Sequence, residues 1–296
     1  MSRPTMLAAG AASMLLVAGL AAVPAAIAQG GDDASPIRFE ERAEAAGVRF
    51  VHSTRDFGER NKADVLEMFT EGGSAVAVGD FDGDGLEDLF LTDSDEGKVN
   101  LLMHNRGDGT FVNVAEAAGV TGGNDDRSIV ADGLWIDYDN DGNLDLLVGR
   151  FGTPILYRHP GPTEAGKVPR FVDVSAAAGL TAFGNTIAVI AFDADADGYL
   201  DLLFANYFKG ENLLHLTTPH VLPEDLDRAE NGGGVSFWQN VAKADAPGGR
   251  AFVDRTKEAG FAHHTGWSLD IGHADLDNDG DQDVYLAGDY GTDRLF

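Results

Sequence analysis

The stretch Asp80-Phe-Asp-Gly-Asp-Gly-Leu-Glu-Asp88, followed by Leu-Phe-Leu, has a pattern that the chain repeats three more times. Further copies begin at Asp137, Asp193 and Asp275, and three apolar or aromatic residues follow each of them. Every copy has Asp at positions 1, 3, 5 and 9 and Gly at position 6. The copies start 57, 56 and 82 residues apart. This spacing indicates a structural repeat of about sixty residues.

A second pattern alternates with the first. Each of its copies begins with Phe, is rich in Ala and ends in Gly; the copies occupy residues 39–47, 111–119, 171–179 and 252–260. The third interval of the first pattern is the longest, and the stretch from Thr217 to Gly234 is rich in Pro, acidic residues and Gly. This composition predicts an inserted loop there.

The segments around the Asp-rich stretches favour β-structure. Short apolar runs bounded by Gly and Asp precede and follow each stretch, as in buried or half-buried strands. With two more predicted strands at residues 99–104 and 111–114, the first repeat has about four. Four antiparallel strands per repeat is typical of a β-propeller blade, and the stacking of blades supplies the core that one blade lacks. The Ala-rich stretches are about one helical turn long and are interpreted as turns between blades. The predicted fold is therefore an all-β propeller.

The alternating Asp residues predict a metal site in each stretch. They converge oxygens in a tight turn, Gly permits the bend, and a hard divalent cation takes six to eight oxygens. Ca²⁺ is favoured over Mg²⁺ because a cage of many carboxylates suits the larger ion, whereas transition metals favour imidazole or thiolate, which the stretches lack. Position 7 varies in type, as expected if it contributes a backbone carbonyl. The predicted ligands of about four Ca²⁺ ions are Asp80, Asp82, Asp84, Leu86, Asp88, Asp137, Asp139, Asp141, Asn143, Asp145, Asp193, Asp195, Asp197, Tyr199, Asp201, Asp275, Asp277, Asp279, Asp281 and Asp283.

Two other interpretations of the pattern are weaker. Asp and Gly also favour turns without a metal, but turn formation does not require Asp at four fixed positions in four copies. An EF-hand loop begins in the same way but needs a bidentate Glu at position 12 and flanking helices. Position 12 is apolar in every copy, with Leu91, Val148, Phe204 and Leu286. The pattern therefore excludes a calmodulin-like sensor.

The chain resembles a known family of repeats. The run from Gly79 to Leu89, the Asn-Arg-Gly-Asp-Gly-Thr-Phe turn that ends at Phe111, and the Ala-Ala-Gly-Val after it resemble FG-GAP/VCBS repeats. Their order is similar to that in the bacterial homologues of cartilage acidic protein 1, a group that often ends in an ASPIC/UnbV domain. The resemblance covers residues 38–296 and implies an integrin-α-like propeller, usually seven-bladed, with Ca²⁺ in a hairpin loop of several blades. Four such loops imply about four to five blades here, so the chain is expected to be the N-terminal part of a longer protein.

Composition and the N-terminus indicate the class of protein and where it acts. With 49 acidic against 21 basic residues and a net charge of −28, the chain lacks the basic surface of a nucleic-acid binder, and cations are more suitable partners. The chain has no Cys, which excludes disulfides and thiolate sites. An apolar stretch from Met6 to Val23 and the small residues before Gln29 predict a signal peptide at residues 1–28, with an uncleaved membrane anchor as the alternative. A linker at 29–37 and an extracytoplasmic location, periplasmic or secreted, follow from this prediction.

Two classes of function fit these features. The first is a non-enzymatic binding module, stabilised by Ca²⁺, for an unidentified protein or glycan. The second is a hydrolase or lyase with its site at the central face of the propeller. The sequence shows no nucleophile elbow, phosphate loop or dinucleotide motif, and Arg106-Gly107-Asp108 lies within the turn that the repeat itself requires. The 217–234 insertion and the segment from His263 to His273 are the features that do not repeat, so an active site is expected there if the first class is wrong.

Overall fold

The structure is a computed structural model that describes residues 37–55, 74–161, 163–164, 166–210 and 223–296. The predicted signal peptide and most of the predicted linker lie outside these residues. The chain divides into two compact units, one ending at Ala43 and the other spanning Glu44–Phe296. The described residues of the first unit, 37–43, contain no helix or strand. All of the sheet structure described below belongs to the second unit.

The second unit is built almost entirely of short antiparallel strands. Its one α-helix among the described residues, α1, spans Ala115–Ala118. The strands are β1 (Val76–Gly79), β2 (Asp88–Leu91), β3 (Leu101–Asn105), β4 (Phe111–Asn113), β5 (Ile129–Ile136), β6 (Asp145–Gly152), β7 (Ile155–Arg158), β8 (Val172–Asp173), β9 (Gly184–Phe192), β10 (Asp201–Phe208), β11 (Gly232–Ala242), β12 (Arg250–Asp254), β13 (Trp267–Ala274), β14 (Asp283–Tyr290) and β15 (Arg294–Leu295).

Each sequence repeat forms one antiparallel meander, which we call a blade. Blade 1 is β1–β4, blade 2 is β5–β8, blade 3 is β9–β12 and blade 4 is β13–β15. Blades 2 and 3 join into one sheet because β6 also pairs with β9, at Phe151–Asn185 and Gly152–Gly184. The first strands of successive blades lie beside one another, as they do around the axis of a propeller. The predicted all-β, propeller-type fold is confirmed, as are the four strands per repeat in blades 1 to 3, while the seven blades of a complete ring stay a prediction.

The second sequence pattern connects neighbouring blades. The Ala-rich turns end at glycines with left-handed backbone, for example Gly119 with a φ of 77°, a conformation that costs Gly little. In each of the first three turns, a carbonyl accepts a hydrogen bond from the N–H of the Phe that begins the next copy of the pattern. These bonds are Phe111 to Ala46 at 2.8 Å, Phe171 to Ala118 at 2.9 Å and Phe252 to Ala178 at 2.8 Å. The interpretation of these stretches as turns between blades is therefore confirmed, with α1 as a single helical turn.

Large aromatic side chains fill the spaces between blades. Trp135 of blade 2 packs against the rings of Phe81 and Phe171, with centroid distances of 6.1 and 6.0 Å. Trp267 of blade 4 is fully buried and packs edge-on against the ring of Tyr207, 5.2 Å away. Such rings contribute both apolar area and favourable edge-to-face geometry. Stacking of blades thus supplies the core, as the sequence predicts.

The predicted insertion at residues 217–234 is partly wrong. Residues 211–222 lie outside the described part of the chain, but Gly232, Gly233 and Gly234 belong to β11. A Cβ on Gly233 would collide with the backbone carbonyls of Asn206 and Phe208 on β10. The glycines therefore permit close approach of two strands and do not mark a loop, a distinction that composition alone does not make.

Candidate metal centres

The four Asp-rich stretches occupy the same place in each blade, the connection between its first and second strands. We call them loop 1 (residues 80–88), loop 2 (137–145), loop 3 (193–201) and loop 4 (275–283). Position 1 follows the end of the first strand directly, and position 9 is the first residue of the second strand. The metal ligands predicted from the sequence are thus placed by the strands themselves.

Backbone hydrogen bonds fold each loop around the position 1 carboxylate. In loop 1 the Asp80 carboxylate accepts the N–H of Asp84 at 3.0 Å and of Gly85 at 2.8 Å. The same pair of bonds recurs on Asp137 and on Asp193, and in loop 4 Asp275 accepts the N–H of Gly280. Position 6 has a φ between 87° and 100° in all four loops, so Gly is required there. The sequence pattern therefore encodes the turn as well as the ligands.

The fold gathers most of the predicted carboxylates into compact groups. In every loop, at least three acidic residues each offer one oxygen, and these oxygens lie within 4.8 Å of one another. The groups are Asp80, Asp82 and Asp88 in loop 1, Asp137, Asp139 and Asp145 in loop 2, Asp193, Asp195 and Asp197 in loop 3, and Asp275, Asp277 and Asp279 in loop 4. Asp84 groups instead with Asp82 and His104. Four of the predicted carboxylates lie outside these groups, namely Asp141, Asp201, Asp281 and Asp283. At position 7 the backbone N–H donates a hydrogen bond to the position 5 carboxylate; the donors are Leu86, Asn143, Tyr199 and Asp281.

Position 9 has a structural role that the sequence analysis did not separate from metal binding. Its carboxylate accepts the position 2 N–H in every loop, and in loops 1 to 3 it also accepts an N–H from the third strand or its end. The third-strand bonds are all 2.7 Å long, from Asn105 to Asp88, His159 to Asp145 and Asn240 to Asp201. Burial raises the pKa of Asp88 and Asp201 to about 6 and that of Asp145 to about 7. This residue therefore ties the loop to the sheet.

The donor sets fit a hard divalent cation. Within the loops themselves they consist of carboxylate oxygens, which Ca²⁺ prefers. Two buried carboxylate oxygens, Oδ1 of Asp139 and Oδ1 of Asp275, accept no hydrogen bond within the part of the chain that the structure describes. A buried acceptor without a donor costs about 1–3 kcal/mol, and a bound cation removes this cost. Orphaned oxygens in two of the loops thus support a cation as their missing partner.

One residue of the third strand faces each of the first three loops, and the sequence analysis missed all three. The strand register places His104, Arg158 and Gln239 opposite position 9. His104 Nε2 lies 3.0 Å from Asp82 Oδ2, and Gln239 Nε2 donates to Asp195 Oδ2 at 2.6 Å. Arg158 contacts two carboxylates of loop 2. The Asp-rich stretch of loop 1 contains no imidazole, as its sequence shows, but β3 brings the ring of His104 to it from sixteen residues beyond Asp88.

Blade 3 covers loop 2. The turn at Pro247–Gly249 between β11 and β12 lies against Asp139, whose side chain is only 1% exposed. Tyr138 Oη donates a hydrogen bond of 3.0 Å to the carbonyl of Pro247. A Cβ on Gly248 would lie 2.6 Å from Cγ of Asp139, so only glycine permits this approach. Loop 2 is thus closed by a neighbouring blade.

Comparison with known proteins identifies the repeat. Residues 80–148 and 137–204 each match the family model described as an FG-GAP-like repeat. The chain contains FG-GAP-like repeats. It is 36% identical over 136 residues to cartilage acidic protein 1 of Homo sapiens, and 35% identical over 136 and 142 residues to the proteins of that name from Mus musculus and Xenopus tropicalis. These alignments cover 45 to 48% of this chain and 19 to 20% of the relatives, so the chain matches about a fifth of the length of the curated relatives.

Two solved structures align with part of the chain. A lectin of Agrocybe aegerita that recognises non-reducing terminal N-acetylglucosamine aligns with 16% identity and a TM-score of 0.37, over 75% of this chain and 52% of the lectin. A rhamnogalacturonan lyase of Bacillus licheniformis aligns with 18% identity and a TM-score of 0.31, over 75% of this chain and 44% of the lyase. Similarities at this level assign no ligand and no reaction to this chain.

The other features that the sequence singled out have ordinary structural contacts. His273 stacks on Phe192 at a centroid distance of 5.0 Å, and His264 packs against Phe296. Within the described part of the chain, neither belongs to a group of metal-ligating side chains. Asp108 accepts the N–H and the hydroxyl of Thr110, which closes the turn between β3 and β4. No helix among the described residues is long and apolar enough to cross a bilayer.

Proposed function

We propose that the chain is an extracytoplasmic, calcium-binding propeller module that acts by binding a protein or a glycan and not by catalysis. One observation carries the calcium proposal: four equivalent loops bring acidic oxygens within 4.8 Å of one another, and in two of them a buried carboxylate oxygen has no hydrogen-bond donor. The ligands are those of positions 1, 3 and 5, with position 9 shared between the cation and the sheet and position 7 contributing its carbonyl. Carboxylate oxygens in a flexible loop suit Ca²⁺ better than Mg²⁺.

Calcium in these loops has a structural effect. An ion that binds the folded chain and not the unfolded chain stabilises the fold by about 2.7 kcal/mol per site at a free concentration one hundred times Kd. Calcium outside the cell reaches the concentrations that weak sites require. The predicted signal peptide at residues 1–28 is consistent with such a location. The intact mass of the exported chain tests whether residues 1–28 are removed.

The similarity to cartilage acidic protein 1 and the FG-GAP repeats support a non-catalytic module over the hydrolase or lyase that the sequence left open. In such a module the blades form the scaffold, and the loops and hairpins at their ends form the surface for a partner. The partner is a protein or a glycan, because the net charge of −28 opposes contact with nucleic acid.

Calorimetry with and without calcium tests the proposal. The melting temperature should fall in EGTA, recover in millimolar CaCl₂ and recover less in MgCl₂. Asp277→Asn in loop 4 should bind about one calcium ion fewer than the wild-type chain. Asp126→Asn is the matched control, because Asp126 is exposed, lies outside the four loops and undergoes the same change in charge. An unchanged melting temperature in EGTA, or equal calcium counts for the two variants, would overturn the calcium proposal.

A further inference from the structure

Loop 2 contains a cation supplied by the chain itself. Arg158, at the end of β7, places Nε 2.7 Å from Asp139 Oδ2 and Nη2 2.8 Å from Asp141 Oδ2. Its guanidinium therefore bridges positions 3 and 5, two of the carboxylates that a metal ion would use. The bridge accounts for the position of Asp141, which lies outside the compact group of loop 2 carboxylates.

A guanidinium competes with a metal ion and cannot assist it as a ligand. It carries five N–H donors, has no lone pair to offer and keeps its charge at every physiological pH. The carboxylate oxygens that accept its hydrogen bonds have those lone pairs already engaged. The surroundings strengthen the effect, since the Asp139 side chain is 1% exposed under the blade 3 turn, and charges interact more strongly where water is excluded.

The other loops differ at this point. In loop 3, Arg250 reaches only Asp197, at 3.1 Å, and its Nε is held by Asn240. In loop 1 the third-strand residue is His104, whose ring has a lone pair. In loop 4 no Arg or Lys forms an ion pair with an Asp of the loop, as far as the structure describes the chain. Loop 2 is thus the loop in which two metal-binding positions are bridged by one permanent cation.

The bridge leaves part of the site unsatisfied. Arg158 engages Oδ2 of Asp139, while Oδ1 of the same carboxylate is buried and accepts no hydrogen bond from any described residue. Asp139 Oδ1, which Arg158 does not engage, is still able to bind a cation. Loop 2 therefore retains the capacity to bind calcium once the guanidinium moves aside.

We propose that Arg158 is an internal counter-ion that substitutes for calcium in loop 2, making it the weakest of the four calcium sites and the one least dependent on calcium for its folded shape. This inference rests on the proposed function, because it concerns the order in which the four loops fill. Blade 2 accordingly keeps its contact with blade 3 when calcium is scarce, and loop 2 takes up calcium after the other loops.

Equilibrium dialysis of the full chain against graded concentrations of ⁴⁵CaCl₂ tests the proposal. Wild-type chain is expected to show one site weaker than the rest, and Arg158→Gln should tighten that site by about tenfold or more, because the competing charge is removed. Asp139→Asn added to Arg158→Gln should abolish the gain, which assigns it to loop 2. Arg170→Gln is the control, since Arg170 donates to the carbonyl of Ala117 and contacts no loop Asp, and it should bind calcium like the wild-type chain.

Stability supplies a second readout that a passive surface arginine would not change. In EGTA, Arg158→Gln should melt below the wild-type chain, because Asp139 and Asp141 then lack a counter-ion, and calcium should raise its melting temperature by more than that of the wild-type chain. Arg158→Lys, which keeps the charge but reaches one carboxylate, should lie between the two and serves if the glutamine variant does not fold. An isotherm unchanged or weakened by Arg158→Gln, in a chain that does bind calcium, would overturn this inference alone. Absence of calcium binding in every variant would overturn the proposed function with it.

Discussion

Replacing Gly248 by Ala tests whether blade 3 holds loop 2 closed. Gly248 has a φ of 66° and lies against Asp139, where an added Cβ would come within 2.6 Å of Cγ. The next residue, Gly249, has a similar φ of 74°, but a Cβ there would meet nothing within 4 Å. The two substitutions therefore impose the same backbone strain, and only the first adds a collision with loop 2.

The expected free energies follow from this geometry. An Ala residue in the left-handed region costs about 1 kcal/mol, which is the whole effect expected for Gly249→Ala. Gly248→Ala should cost a further 1–3 kcal/mol or so for overpacking. If the turn moves away, the chain also loses the hydrogen bond from Tyr138 Oη to Pro247, worth about 1 kcal/mol. Gly248→Ala should thus destabilise the chain by about 2 kcal/mol more than Gly249→Ala.

Urea denaturation in EGTA measures this difference without a contribution from bound metal. Tyr138→Phe removes only the hydroxyl and should cost about 1 kcal/mol, so the collision and the hydrogen bond are measured separately. Equal free energies of unfolding for Gly248→Ala and Gly249→Ala would refute the contact between blade 3 and loop 2.

Two further predictions concern buried carboxylates. Asp201→Ala should lower the free energy of unfolding by about 2 kcal/mol even in EGTA, because the two N–H groups bound to Asp201 lose their acceptor. Asp195→Ala should instead lose stability mainly in calcium. Equal losses of the two variants in EGTA would contradict a structural role for position 9. Burial, with a smaller contribution from the charge of Asp270, raises the pKa of Asp132 from 3.8 to about 6. Ionisation of Asp132 therefore costs more in the folded chain than in the unfolded chain. The free energy of unfolding is at its full value below about pH 4 and falls by at most about 3 kcal/mol as the pH rises through about 6. The free energy of unfolding of Asp132→Asn relative to the wild-type chain should therefore rise across this interval, and a difference independent of pH would contradict the raised pKa.

The repeat made the fold predictable. The alternation of the two patterns indicated one blade for each Asp-rich stretch. The strands before Asp80 and after Asp88 form at the apolar runs that Asp and Gly bound. The Phe and Ala-Ala-Gly pattern indicated the links between blades, because the donating Phe and the accepting Ala occupy the same two positions in every copy, as Phe171 and Ala178 do. Local periodicity carries this information, since each strand and turn is specified by its own few residues.

The parts of the site that sequence reasoning missed depend on strand register. Arg158 contacts Asp139 only because β7 pairs with β6 in a register that places Arg158 opposite Asp145. Gly248 meets the same loop from another blade, more than one hundred residues along the chain. Sequence spacing specifies neither contact. Similarly, the Gly-rich start of β11 has the composition of a loop, and its role as a close strand contact appears only when β10 lies beside it.

Crystals of the chain grown in calcium test the metal sites most directly, through an anomalous difference map recorded at a long wavelength. We expect peaks in loops 1, 3 and 4, each with carboxylate oxygens of positions 1, 3 and 5 at about 2.3–2.6 Å, and a peak in loop 2 only at the highest calcium concentrations. A map without peaks in any of the four loops would contradict calcium binding by this chain.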